Sequence, residues 1–353
     1  MGLPSINISF KSTAITAIQR GDKGVVLLLL RDSTAAVYEM LDVTDIPDAL
    51  AADNAAYVRR AFTGYITAPK KVIAVVVTAG TEIEDALTEA EKYEFDYLCA
   101  PPDVSSEEAT KVASWIKSMR ENEHRKYKAV LPSTASDHEG VINFTTTGIK
   151  TATAVFTPAQ FCSRIAGLIT GTPMTISCTY APLPEVVDID RLTKAQADAA
   201  IDKGEFILIH DGEKVKVGRG VNSFVTTTQD KGDPFKKIKI VECLDMINLD
   251  IRKTAEDSYI GKYANSYDNK ILLVTAISGY FDQLEMDGLL EKGASDIDID
   301  TEQQRIYLKS KGTDVTDMTD QEIRMAGTDD KVFLISHLQP LDAIEDISLR
   351  VFI

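Results

Sequence analysis

Polar and apolar positions alternate at the start of the chain. Ile6, Ile8 and Phe10 share one face of an extended segment, and Ser5, Asn7, Ser9 and Lys11 share the other, which predicts a strand. Gly21-Asp22-Lys23-Gly24 predicts a turn, and the unbroken apolar run 25–30 predicts a buried strand. A second strand is expected over 35–41 and an Ala- and Asp-rich helix over 46–62. From residue 71 the pattern alternates between strand and helix. KVIAVVVT (71–78) reads as a buried strand, and Thr81 with Glu84 reads as a capping box for a helix to about residue 93. A short strand is expected over 96–100. Ser105 and Glu108 then open a helix whose stripe is Ala109, Val112, Ile116 and Met119. Strands over 127–131 and 140–146 and a helix over 158–169 follow. This rhythm implies a parallel sheet covered by helices.

After Pro184 the texture changes. A helix over 193–203, with Gln196 completing its capping box, leads into a hairpin over 205–218 turned at Asp211-Gly212, with a third strand over 221–227. The polar stretch 229–234, with its Gly and Pro, predicts a boundary. Long helices are expected over 237–264 and 269–292. Strands are expected over 296–300, 305–310 and 332–338, with an acidic loop over 314–330. The chain ends IEDISLRVFI, where Ile347, Leu349, Val351 and Ile353 share one face.

The 353 residues suit more than one domain, and 44% hydrophobic with 26% charged residues is a globular mix. No signal peptide is read at the start. The longest apolar run is far too short for a bilayer, so no membrane insertion is expected. The net charge of −16 argues against nucleic acid and makes self-association depend on specific contacts. Four cysteines without zinc-ribbon or redox spacing read as buried thiols in a reducing compartment.

Catalytic and cofactor motifs are missing. There is no phosphate loop, the turn after 71–78 has one glycine where a dinucleotide site needs three, and GxSxG is absent. Asp296, Asp298 and Asp300 begin like a calcium loop, but Thr301 and Tyr307 occupy its glycine and bidentate-glutamate positions. Solvated aspartates on a strand that buries Ile297 and Ile299 are the preferred reading. Ser133, Asp137 and His138 follow a strand end, yet three polar residues usually make only a loop. Gly167 and Gly171 read as close helix packing or a helix end. No catalytic residue, metal site or cofactor is expected.

The two ends carry the unusual signal. Terminal strands with one apolar face either pair within their own chain or complete the sheet of a neighbour. Four segments carry a resemblance: LPSINISFKSTAITAIQRGDKGVVLLLLRD, KGEFILIHDGEKVKVGRGVNSFVT, IKIVECLDMINLDIRKTAEDSYIGKYAN and VFLISHLQPLDAIEDISLRVFI. In this order they resemble the tail sheath proteins of contractile phages and R-type bacteriocins, nearest the short sheaths of PBSX-like prophages and diffocin-like particles.

The resemblance implies a non-enzymatic subunit that polymerises as six-fold helical rings around an inner tail tube. Contraction then drives the tube through a cell envelope. The implied class is α/β (α+β overall), with arms at 1–22 and 344–353. An outer part would span 23–234 (a small β segment 23–70, an α/β core 71–184 and a β-rich segment 185–234), and a smaller α+β tube-facing domain 235–343. Ile6, Ile8, Phe10, Ile347, Leu349, Val351 and Ile353 would form the inter-subunit arms, hinged near Gly21, Gly24 and Pro340. Arg252, Lys253 and Lys262 are locally basic and would grip the tube; a solvated helix face is the other reading. Tube, baseplate and tail-terminator proteins are the implied partners, with assembly in the bacterial cytoplasm and release as a phage tail or tail-like particle. The rivals are an α/β ligand-binding enzyme, which lacks its motifs, another tail or baseplate subunit, and a secretion-system sheath, commonly made of two chains.

Overall fold

In the computed structural model, which describes residue 18 and residues 24–353, the apolar run becomes β1 (Val25–Asp32). The strand expected over 6–10 and turn residues Gly21, Asp22 and Lys23 lie outside the described residues. The described chain falls into two compact units: residues 24–245 with Asp342–Ile353, and Met246–Leu341.

In the larger unit, β1 is followed by β2 (Ala36–Met40), α1 (Ala52–Phe62), β3 (Lys71–Thr78), α2 (Ile83–Ala90), β4 (Tyr97–Cys99), α3 (Ser106–Glu121), β5 (Lys128–Pro132) and β6 (Val141–Phe144). Then come β7 (Ile149–Thr151), β8 (Val155–Phe156), α4 (Pro158–Thr170), β9 (Val186–Asp188), α5 (Lys194–Asp202), β10 (Glu205–Phe206), β11 (Leu208–His210) and β12 (Val215–Val217). A seven-stranded sheet has the order β10-β6-β5-β4-β1-β3-β2. Every neighbouring pair is parallel except β2 with β3.

The period of two in β1 sorts its side chains between two layers. Leu27 and Leu29 join Ile83, Leu87, Val112 and Ile116 of α2 and α3. Val26, Leu28 and Leu30 join Tyr57, Ala61, Phe161 and Ile165 of α1 and α4. The Gly167–Gly171 pair serves both expected ends. A Cβ on Gly167 would sit 1.9 Å from the Ala61 carbonyl oxygen, and Gly171 caps α4. Ser105–Glu108 and Thr193–Gln196 form the expected capping boxes.

Helix α6 (Ile238–Ser258) starts in this unit and ends in the smaller one. There it is followed by α7 (Tyr267–Met286), β13 (Asp296–Ile299), α8 (Thr301–Ser310), α9 (Asp320–Met325) and β14 (Leu334–His337), the last antiparallel to β13. The Asp250 carboxylate accepts from Tyr280 Oη at 2.6 Å, joining α6 to α7. Lys270 is buried, and its Nζ reaches Thr328 Oγ1 at 2.9 Å, Gln304 Oε1 at 3.3 Å and the Ala326 carbonyl at 3.4 Å. A lysine can be buried when its three donors find acceptors in this way.

Several expected elements differ. Helix α1 starts at Ala52 rather than 46, because 43–45 forms a separate turn capped by Asp42. Thr81 does not cap α2; its hydroxyl meets Thr78 Oγ1 at 3.1 Å and the helix starts at Ile83. Residues 221–227 form no strand, because the Asp137 carboxylate takes the Val225 and Thr226 amides at 2.7 and 2.9 Å. Residues 305–310 are helical: Asp300 caps α8 by accepting from the Gln303 amide, and Gln304 is buried. The acidic loop contains α9, opened by a Thr319–Glu322 capping box. Helices α6 and α7 stop short of 264 and 292; Gly261 and Gly288 just beyond them take positive φ.

Candidate functional site

The loop after β5 is fastened by its own side chains. Beyond the Asp137 bonds, His138 is buried, and its Nδ1 accepts from the Gly140 amide at 3.0 Å. Burial pushes its pKa down, outweighing the pull of Glu139. All four cysteines are buried thiols, and burial pushes Cys178 up to about 12. Among the described residues no group of His, Cys, Asp and Glu could hold a metal ion. Asp296 meets His337 at 2.8 Å and Asp298 pairs with Arg324, while Ile299 is buried and Ile297 only half-buried.

The first turns of α6 join the larger unit through buried charge. Asp245 takes Arg120 Nη1 and Nη2, both at 2.9 Å, and Lys128 Nζ at 3.1 Å. Lys128 also meets Glu242 at 3.0 Å. Burial alone would push the Lys128 pKa down, but Glu242 and Asp245 win and hold it above its usual value. Each charge has a counter-charge, as charges out of water require.

The C-terminal segment is built differently. Leu349 and Val351 are 81% and 72% exposed, Ile347 84% and Phe352 92%, and Ile353 is fully exposed. Residues 344–353 have no strand partner among the described residues. The exception to exposure is Glu345, whose side chain is only 7% accessible. Its Oε1 takes the Thr179 hydroxyl at 2.5 Å and lies 3.1 Å from Ser177 Oγ. Arg219 Nε stands 3.4 Å from Oε2, and Nη2 of the same guanidinium donates to Asp346 at 2.7 Å. Asp342 pairs with Lys237. Segment 342–346 is therefore tied down, and 347–353 projects into solvent.

The other expected residues are dispersed. Ile6, Ile8, Phe10 and Gly21 lie outside the described residues. Gly24 has φ +121°, and its amide and that of Val25 donate to the Asp96 carboxylate at 2.7 and 2.9 Å. Pro340 bridges Leu290. Arg252 pairs with Glu256 at 2.8 Å, Lys253 is exposed, and Lys262 donates to the Asp257 carbonyl. Sequence reasoning missed Ser177, Thr179, Arg219 and Glu345 as a group. Its one trace is three carboxylates, Asp342, Glu345 and Asp346, directly before an alternating tail.

Known proteins agree with this architecture. Residues 77–223 match the family model of the phage tail sheath protein central domain, and residues 230–353 match that of the phage tail sheath C-terminal domain. A tail sheath protein of Clostridium phage phiCD119 is 39% identical over 355 residues, covering 99% of each chain. The fold also matches the crystal structure of a sheath tail protein from Desulfitobacterium hafniense, with TM-score 0.73 and 19% identity over 98% of this chain and 99% of that one. It equally matches the contracted helical sheath of the anti-feeding prophage, with TM-score 0.73 and 15% identity over 100% and 99% of the two chains. None of these matches favours the rival readings. The chain belongs to the phage tail sheath family and is a structural subunit of a contractile tail sheath.

Proposed function

We propose that copies of this chain donate C-terminal strands to one another, building six-fold helical rings that sleeve an inner tail tube. The observation that carries the reading is the apolar segment 347–353, exposed and without a strand partner among the described residues. Strand addition satisfies the backbone groups and covers the apolar face in one step. The sheet β13–β14 suits the acceptor role, since neither of its outer edges is paired among the described residues and Ile335 on β14 is 45% exposed. Burying Ile347, Leu349, Val351 and Ile353 would contribute roughly 1.5–3 kcal/mol each before ordering costs. That is enough to overcome repulsion between acidic subunits once salt screens it.

The mechanism is mechanical and needs no catalytic residue or cofactor. An extended sleeve, released at a baseplate, shortens into a lattice with more contacts and drives the tube through a cell envelope. Residues 1–22, with Ile6, Ile8 and Phe10, form the second arm. Gly21, Gly24 and Pro340 are the hinge points. Residues 23–234 form the outer part. The tube-facing part lies within 235–343, where Arg252, Lys253 and Lys262 offer a releasable basic grip. The tube, baseplate and tail-terminator proteins are its partners. Assembly takes place in the bacterial cytoplasm, before release as a phage tail or tail-like particle.

The test compares the full chain with a chain ending at Asp346, by negative-stain electron microscopy and sedimentation in screening salt. Striated tubes from the full chain and discrete monomers from the shortened one are expected. Equal tube formation by both would remove the C-terminal arm from the mechanism.

A further inference from the structure

We infer that Glu345 is a latch that fixes the root of the C-terminal arm to its own subunit, so that only residues 347–353 are handed to a second copy of this chain. The inference rests on the arm reading above and adds where the arm begins.

Burial in this segment is inverted. Ile344 is 88% exposed and Ile347 84%, while the carboxylate between them is 7% accessible. Apolar packing cannot be what holds the chain there, since the apolar neighbours stay in water. Sinking a carboxylate is costly unless donors and counter-charge await it. Here they do. The Gly220 amide donates to Thr179 Oγ1 at 2.9 Å, which turns that hydroxyl's proton toward Glu345 Oε1. Gly220 cannot be replaced cheaply, because a Cβ would stand 2.9 Å from Cys178 Sγ and 3.1 Å from Ser177 Oγ. Oε2 makes no hydrogen bond among the described residues and is held by charge, from Arg219 at 3.4 Å and Lys237 at 3.9 Å. The flanking carboxylates take the same two cations: Asp342 meets Lys237 and Asp346 meets Arg219.

The latch sets the reach of the arm. Seven extended residues span roughly 23 Å at about 3.3 Å each. The acceptor edge on the second copy must lie within that distance of the socket. With the latch open, the free segment starts after Leu341, whose amide bonds the Leu289 carbonyl, and its reach grows to roughly 40 Å. A longer tether dilutes the strand's end at its acceptor.

The experiment places spin labels on Ile344→Cys and Glu213→Cys in the dilute full-length chain, whose four native cysteines are buried. A narrow distance distribution is expected. Glu345→Ala should broaden it about two-fold or more and raise the concentration needed for tubes by at least about two-fold. Arg219→Met should do the same, with unchanged circular dichroism in both variants. A distribution as narrow in Glu345→Ala and Arg219→Met as in the parent overturns the latch and leaves arm donation standing. Tubes from the chain ending at Asp346 overturn arm donation, and the latch with it.

Discussion

Strand β1 reads VVLLLLRD and the last seven residues read ISLRVFI. Both are rich in branched apolar side chains, yet Val26 to Leu30 are fully buried while Leu349 and Val351 stand in water. Composition does not separate them; completion does. Strand β1 has β3 on one edge and β4 on the other, with helices α2 and α3 over one face and α1 and α4 over the other. Among the described residues the C-terminal segment 347–353 has neither edge nor cover. The difference teaches that one chain can hold a finished sheet and an exposed apolar segment, the second being the one proposed above to serve assembly between copies.

The comparison is sharpest in folding stability. Gly167→Val strikes the finished region where α1 and α4 touch, and should cost about 4 kcal/mol or more, because the new side chain collides with backbone that cannot yield. Chemical denaturation measures it, and a loss below about 1 kcal/mol would mean that the helices separate easily. Asp245→Asn comes next. It leaves Arg120 and Lys128 short of a buried counter-charge and should cost about 3 kcal/mol by the same measurement, whereas a neutral outcome would make the network dispensable.

A smaller effect is expected at Asp32, at the exposed end of β1. Its carboxylate accepts from the Ala51 amide, Asn54 Nδ2 and the Ser33 amide, which together hold its pKa at about 2. A depressed carboxylate contributes stability above its unfolded pKa, near 3.9, and loses it as pH falls toward about 2. The stability gap between the parent and Asp32→Asn should therefore be present at neutral pH and close between about pH 4 and pH 2. A gap independent of pH would trace the effect to shape instead of charge. Removing 347–353 should have the smallest effect of all, moving the melting temperature by no more than about 1 °C while abolishing tubes. A large drop would show that the tail completes its own subunit.

Much of the larger unit was legible in the chain. The run 25–30, the strand 71–78 and the stripe Ala109, Val112, Ile116 and Met119 are patterns whose period matches one geometry, so they point to one structure. The errors cluster where a side chain captures backbone. Ile306 and Leu308 alternate like a strand, but Asp300 caps a helix there, leaving Leu308 buried and Ile306 exposed. Residues 221–227 read as a strand until Asp137, far away in sequence, takes their amides. Of the candidate site, the alternating tail was visible and its socket was not. Ser177, Thr179, Arg219 and Glu345 are scattered along the chain, and nothing in their spacing brings them together.

Local pattern by itself determined the β-α rhythm, the caps at Ser105 and Thr193 and the stripe of α3. Each depends on residues a few positions apart, whose geometry the backbone period already sets. Only the tertiary structure decided that β1 lies at the heart of the sheet, that Asp245 neutralises Arg120 and Lys128, and that Glu345 is sunk while its apolar neighbours are not. Those outcomes depend on which distant groups meet. A buried charge can be held only by partners that folding has brought within a few ångströms.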